Sequence, residues 1–185
     1  DPLTLSSAAG LESTSPADLP EVFGRYRILR QIGRGSMGSV WLAHDEQLDR
    51  QIALKVPNLS TGDGGGELIE RFYREARSAA KLRHPNICPV HDVGEIDGIH
   101  FSTMAFIEGR PLSEYISAEQ LQAERQVVTV VRKLALALRH AHAQGVIHRD
   151  LKPKNVMIDE RGEPIVVDFG LARQLDRSDA SETRF

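Results

Sequence analysis

The first stretch of the chain, residues 1–22, is dominated by Ser, Ala, Pro and acidic side chains and shows no apolar period. It has too little to bury and is expected to be a disordered or linker segment. From Tyr26 the pattern changes. The apolar-rich run Tyr26–Ile32, the β-branched and aromatic run Ser39-Val40-Trp41-Leu42-Ala43 and the alternating segment Gln51-Ile52-Ala53-Leu54-Lys55-Val56 predict strands at about 26–33, 38–45 and 51–57. A glycine-rich loop, Ser60 to Gly66, leads to a segment of helical period, Glu67–Leu82, with an apolar stripe through Leu68, Phe72, Ala79 and Leu82. Two further strands fit Val90–Glu95 and His100–Phe106, joined by Asp97-Gly98, a dipeptide suited to a tight hairpin.

The second half reads differently. A short helix begins near Pro111. A long one runs from about Ala123 to Gln144, with Val127, Val131, Leu134, Leu138 and Ala141 at helical spacing and Gly145 as its stop. A hairpin follows, Val156–Ile158 and Ile165–Val167 around Asp159-Glu160-Arg161-Gly162. The fold class is therefore α+β: a five-stranded antiparallel sheet with one helix, followed by a mainly helical region. No internal repeat is visible.

Chemistry enters at three places. Gly33-Arg34-Gly35-Ser36-Met37-Gly38-Ser39-Val40 fits G-x-G-x-x-G-x-V. The same glycines occur in dinucleotide-binding turns, but those run from a strand into a helix. Here a strand leads in and a strand leads out, which suits a flap over phosphates; the plain alternative is a Gly-rich hairpin. Lys55 shares a strand face with Ala53. Glu75 falls inside the apolar stripe of the first helix, and an inward carboxylate is costly unless a cation meets it, so Lys55 is its expected partner. Last come His148-Arg149-Asp150-Leu151-Lys152-Pro153-Lys154-Asn155 and Asp168-Phe169-Gly170. They supply one base and two metal-ligand positions, which is what phosphoryl transfer from a magnesium-bound nucleotide requires.

The octet resembles the catalytic loop of the protein kinases, and the triplet resembles their metal-binding loop. The likeness covers roughly residues 24–185 and brings five motifs in the family's order. Within the family the details are most similar to the bacterial, eukaryotic-like (Hanks-type) serine/threonine kinases. The resemblance implies a two-lobe fold, with an N-lobe over 23–107 and a partial, incompletely helical C-lobe over 108–185. ATP and magnesium are the implied cofactors. Gly33, Gly35 and Gly38 would cover the triphosphate, and Lys55, paired with Glu75, would bind α- and β-phosphate oxygens. Ile32, Val40 and Ala53 would roof the adenine pocket, and Met157 would floor it. Met104 takes the gatekeeper position, and the backbones of Ala105 and Ile107 would bond adenine. Many relatives carry glutamate in place of Ala105. Asp168 and Asn155 would hold magnesium, with Asp150 the base and Lys152 steadying the γ-phosphate. A lysine there implies serine/threonine rather than tyrosine acceptors on a protein substrate. Arg149 would await a phosphate on the activation loop, with Ser178, Ser181 and Thr183 as candidate acceptors. His148 and Phe169 are implied to be packing members. Two alternatives stay open: a nucleotide-binding pseudokinase scaffold, and a small-molecule phosphotransferase of similar architecture, although the latter usually carries His-Gly-Asp in this loop.

Composition adds bounds. The chain has 185 residues, enough for one large domain or two small lobes, and a hydrophobic fraction of 41%, ordinary for a globular protein. A net charge of −3 gives no hint of nucleic-acid binding. The single cysteine, Cys88, excludes an internal disulfide, fits a reducing compartment and reads as a buried structural thiol. His140 and His142 read as structural. No apolar run approaches the roughly 20 residues of a membrane span, and no secretory leader is visible. The expectation is a cytoplasmic fragment without membrane contact, cut at both ends and poorly active by itself. In the group it resembles, the kinase domain often continues to a membrane anchor and sensor.

Overall fold

The computed structural model describes residues 19–35, 38–59, 65–117 and 124–169. The elements are β1 (Val22–Phe23), β2 (Tyr26–Gly35), β3 (Gly38–Asp45), β4 (Arg50–Pro57), α1 (Gly65–Ala79), β5 (Val90–Ile96), β6 (Ile99–Ala105), β7 (Gly109–Pro111), α2 (Leu112–Ser117), α3 (Glu124–Ala143), β8 (Val156–Asp159) and β9 (Pro164–Val166). A 3₁₀ turn covers Pro153–Asn155.

The first sheet is antiparallel with strand order β1-β2-β3-β4-β6-β5. The five predicted strands all form. The sixth, β1, pairs Val22 with Arg27 and Phe23 with Tyr26, so the ordered sheet begins inside the segment expected to be linker. Two residues carry no readable period; what fixes them is tertiary, since Phe23 is buried edge-to-face on Phe101 with ring centroids 5.4 Å apart. Asp97 and Gly98 both take positive φ, 50° and 78°, as the predicted two-residue turn between β5 and β6 demands. Phe23, Tyr26, Trp41, Ile52, Leu54, Val56 and Phe101 fill this sheet's core. Each such side chain contributes about 1.5–3 kcal/mol of transfer free energy.

A second core joins α1, α3 and β9 through Ala79, Leu82, Ile87, Ala137, Ala141, Val146, Val166 and Phe169. The connector 86–88 is stitched to β9. Val166 N–H donates to Asn86 O and Cys88 N–H donates to Val166 O, both at 2.9 Å, and the buried Asn86 Nδ2 donates to Pro164 O at 2.8 Å. This ladder fixes the strand that leads into Asp168. The small sheet β7-β8-β9 was not legible in full, because β7 is three residues long and includes a proline.

One helical expectation is corrected. Leu134, Leu138 and Ala141 of the α3 stripe pack as expected, but Val127 and Val131 are 41% and 58% exposed. Among the described residues α3 packs through Val130 and Leu134 on Leu112, Val156 and Ile158, and through Leu134, Ala137, Leu138 and Ala141 on the second core, a face that leaves Val127 and Val131 outside. No helix of the described residues is long and apolar enough to cross a membrane.

Candidate active site

The flap is a hairpin. Gly33 pairs with Val40, and Gly35 with Gly38, across β2 and β3; Ser36 and Met37 lie outside the described residues. Gly38 has φ of 122°, and a Cβ there would meet the Val56 carbonyl oxygen at 2.1 Å, so only glycine fits. Ile32 stands half-exposed at the root of the flap.

Below the flap, the period-two alternation of β4 puts Ala53 and Lys55 on one face. Ala53 lies opposite Met104 of β6 and is buried with it. Val40, Ala105, Ile107, Ile165 and Val167 pack around that pair. The structure thus brings Val40, Ala53, Met104, Ala105 and Ile107 together. Met157 sits half-buried on β8 opposite Ile165, a member of the same wall.

The wall has one member that the sequence reading left outside the site. Cys88 is buried with Ala53 and Met104, and its thiol donates to the Ala105 carbonyl at 3.4 Å. Burial, and then the nearby negative charge of Asp168, push this thiol up to about 12. No local pattern marks Cys88 as a pocket residue. Its position follows from the connector's pairing with β9, which is tertiary.

The loop 148–155 is built on His148, which is 2% exposed. Asp150 N–H donates to His148 Nδ1 at 3.3 Å, which leaves the proton on Nε2, and Nε2–H donates to Val167 O at 2.8 Å. The His148 ring also meets Phe169 edge-on, with centroids 4.8 Å apart. His148 and Phe169 are the packing members the sequence implied. A second tie, Val167 N–H to Asn155 O at 3.0 Å, places Asp168 directly after a residue bonded to Asn155. Asn155 Nδ2 donates to Asp150 O at 2.8 Å and to Asp150 Oδ2 at 3.1 Å. Lys152 Nζ lies 2.7 Å from Asp150 Oδ2. The Lys152 ammonium first, and then the Asn155 amide and His148, hold the Asp150 carboxyl below the usual carboxylate range, with partial burial opposing them. Asp150 is therefore ionised at neutral pH.

Lys55, 4% exposed, is a buried cation. The expected Lys55–Glu75 pair is not what forms. Lys55 Nζ lies 2.8 Å from Asp168 Oδ1. Glu75 Oε1 instead accepts from Arg149 Nη1 at 2.7 Å and from Arg71 Nε, one turn earlier on α1, at 2.9 Å. Glu75 does face inward, its side chain only 14% exposed, and it does meet cations; they are two guanidiniums rather than the lysine. The sequence missed Arg71 because an i,i+4 arginine on a helix reads as an ordinary surface pair. Arg149 and Asp168 hold φ of 65° and 60°. A left-handed non-glycine residue costs about 1–3 kcal/mol and persists only where its surroundings over-determine it. Ser178, Ser181 and Thr183 lie outside the described residues.

As for a divalent cation, the donors available are a carboxylate on Asp168 and an amide oxygen on Asn155, whose Nδ2 is spent on Asp150. Among the described residues no group of three or more His, Cys, Asp or Glu could hold a metal. Few protein oxygens, all hard, suit magnesium completed by phosphates and water. The lysine ammonium on Asp168 already stands in as a cation there.

With this geometry in place, comparison with known proteins is decisive. The family description "Protein kinase domain" matches residues 26–185. The chain belongs to the protein kinase family. It is 41% identical over 162 residues to the serine/threonine-protein kinase PrkC of Bacillus subtilis (strain 168), covering 88% of this chain and 25% of that protein. It is 38% identical over 165 residues to the serine/threonine-protein kinase PknA of Mycobacterium tuberculosis (strain ATCC 25618 / H37Rv), covering 86% of this chain and 38% of that one. The chain thus spans a quarter to under two fifths of these curated relatives. The crystal structure of the Mycobacterium tuberculosis PknI kinase domain superposes with a TM-score of 0.70 at 34% identity, over 83% of this chain and 62% of that one. The kinase fold read from the sequence is therefore established, with its antiparallel N-terminal sheet and few helices.

Proposed function

We propose that this protein is a serine/threonine kinase that transfers the γ-phosphoryl group of ATP to a Ser or Thr hydroxyl of a protein. The observation that carries the reading is the convergence of Asp150, Asn155, Asp168 and Lys55. Asn155 bridges to Asp150 through its side chain at 3.1 Å and to the Asp168 strand through its carbonyl at 3.0 Å, while Lys55 reaches Asp168 at 2.8 Å.

In this reading the adenine sits against Val40, Ala53, Met104 and Met157 below Ile32, bonded by the backbones of Ala105 and Ile107. The hairpin of Gly33, Gly35 and Gly38 closes over the phosphates. Lys55 binds α- and β-phosphate oxygens once it leaves Asp168. Asp168 and Asn155 would hold magnesium, which would neutralise phosphate charge when bound. Asp150, ionised by Lys152 and Asn155, orients the acceptor hydroxyl and takes its proton as the new O–P bond forms. A carboxylate held below its usual range is a weak base, so positioning contributes more than proton affinity. Lys152 steadies the γ-phosphate, and its ammonium already sits 2.7 Å from the base. Arg149 is a regulatory residue that a phosphate on Ser178, Ser181 or Thr183 would engage. The N-lobe spans 23–107, and residues from 108 onward belong to the C-lobe. A nucleotide-rich, reducing compartment, the cytoplasm, suits both ATP and the free thiol of Cys88.

The test compares wild type with Asp150→Asn in the full-length protein. Transfer to a protein acceptor should drop by about 10³-fold while fluorescent-nucleotide binding stays within about twofold. Phosphoamino-acid analysis should give phosphoserine or phosphothreonine. Nucleotide binding without any transfer by the wild type would establish the scaffold reading instead.

A further inference from the structure

We propose that His84 and His140 form an acid-sensitive clasp that holds the connector 84–88, and through it the strand leading to Asp168, in place. His84 lies on the connector between α1 and β5, and His140 lies in the last turn of α3. Their rings meet with centroids 5.4 Å apart and planes inclined at 42°. The clasp lies beside the core in which Leu82 and Ile87 of the connector region pack with Ala137 and Ala141 of α3.

The connector depends on an unprotonated His84. Asn86 N–H donates to His84 Nδ1 at 3.1 Å, so Nδ1 must offer its lone pair. Ile87 N–H closes the same turn on His84 O, also at 3.1 Å. Asn86 and Cys88 are the residues laddered to Val166 and Pro164, immediately before Val167 and Asp168. A proton on Nδ1 would set one donor against another and undo the turn at its first bond.

The groups around the pair reinforce the direction. From α3 the titratable partner of His84 is His140, and a second charge there would repel the first. Gln144 Nε2 lies 2.8 Å from His140 Nε2, which ties the His140 ring to the end of α3. On the connector itself, Arg83 directs Nη1 to the carbonyls of Ala80 and Leu82 at 3.1 and 3.5 Å. Burial, and then His140, lower the affinity of His84 for a proton. A histidine whose folded value is depressed contributes stability above the ordinary value near 6.5, and that contribution is lost as pH falls below it. Mild acid should therefore loosen the connector before it unfolds the chain.

Hydrogen exchange read by mass spectrometry, corrected for the intrinsic pH dependence, tests this without nucleotide. On going from pH 7.5 to 5.5, the amides of 86–88 and 165–167 should lose protection by about fivefold in wild type, with the β3–β4 amides unchanged. His84→Asn keeps an acceptor for the amide two residues on and removes the titration; its protection should not respond to acid. In His140→Phe the ring contact stays and the second charge goes, so the NMR titration midpoint of His84 should move up in pH. Unchanged protection in acidified wild type, an equal loss in His84→Asn, or an unmoved His84 midpoint in His140→Phe would each overturn the clasp. Because no readout uses ATP, failure here leaves the phosphotransfer reading standing, and the reverse also holds.

Discussion

Glu75 and Arg149 share a hydrogen-bonded ion pair at 2.7 Å, and this contact, with the Arg71 bond behind it, holds Glu75 away from Lys55. Lys55 in turn rests on Asp168. Both arginines bond the same oxygen, Oε1, and so anchor the Glu75 carboxylate toward themselves while Lys55 pairs elsewhere. Arg149 is 41% exposed at its side chain, so solvent discounts the pair to about 0.5–1 kcal/mol. A double-mutant cycle of Glu75→Gln and Arg149→Gln in urea unfolding should return a coupling of that size. Arg149→Gln alone should also strengthen magnesium-nucleotide binding by about two- to fivefold, as Glu75 becomes free to draw Lys55 off Asp168. Weaker or equal nucleotide binding in that variant would show that the arginine contact does not restrain the site.

Asp150 owes its depressed carboxyl chiefly to Lys152. In wild type, no acid limb belonging to Asp150 should enter the pH–rate profile between pH 5 and 8, because the group stays ionised throughout. Lys152→Met removes the largest cause. The carboxyl should then rise toward the ordinary aspartate value near 3.9, and the acid limb of kcat should move to higher pH while its neutral-pH plateau falls. A plateau that falls with no movement of the limb would mean that Lys152 acts on phosphate alone.

Gly38 and Gly35 face each other across the flap hairpin but differ in what they tolerate. At Gly38 a methyl group would enter the Val56 carbonyl at 2.1 Å from a backbone of positive φ; at Gly35 nothing lies within 4 Å. Gly38→Ala should cost about 2–4 kcal/mol, combining backbone strain with overpacking. Gly35→Ala should cost less than about 1 kcal/mol. Urea midpoints of the two variants decide it, and equal costs would mean the hairpin is not built as described.

Legibility in the sequence followed the range of the forces involved. The strands β2 to β6 announce themselves because period two, β-branched residues and the Asp97-Gly98 turn are local. The loop 148–155 and Asp168 are legible because their spacing is dictated by chemistry. Their ties, His148 to Val167 and Asn155 to Val167, span 19 and 12 residues and could not be read. The same holds for Cys88, which a connector delivers to the pocket wall, and for β1, which exists because Phe23 finds Phe101. The Lys55–Glu75 expectation failed for a different reason. That an inward carboxylate needs a cation was sound, but three cations were available, and composition does not rank them.

Cys88 offers a clean probe, because it is the only cysteine in the chain. Burial and the Asp168 charge raise its thiol to about 12. The reactive species is the thiolate, which at pH 8 is then a minute fraction of the folded protein. Alkylation should be at least about 10²-fold slower in the native protein than in urea, where the thiol returns to about 8.5. The raised value also has a stability consequence with a definite sign. A group that binds its proton more tightly when folded contributes fully below its unfolded value, and that contribution is lost as pH rises through the folded one. The chain should therefore lose stability between about pH 8.5 and 12, beyond what its lysines and tyrosines cause, and Cys88→Ala should remove that part of the slope. Native alkylation as fast as in urea would place the thiol at the surface and out of the wall formed with Ala53 and Met104.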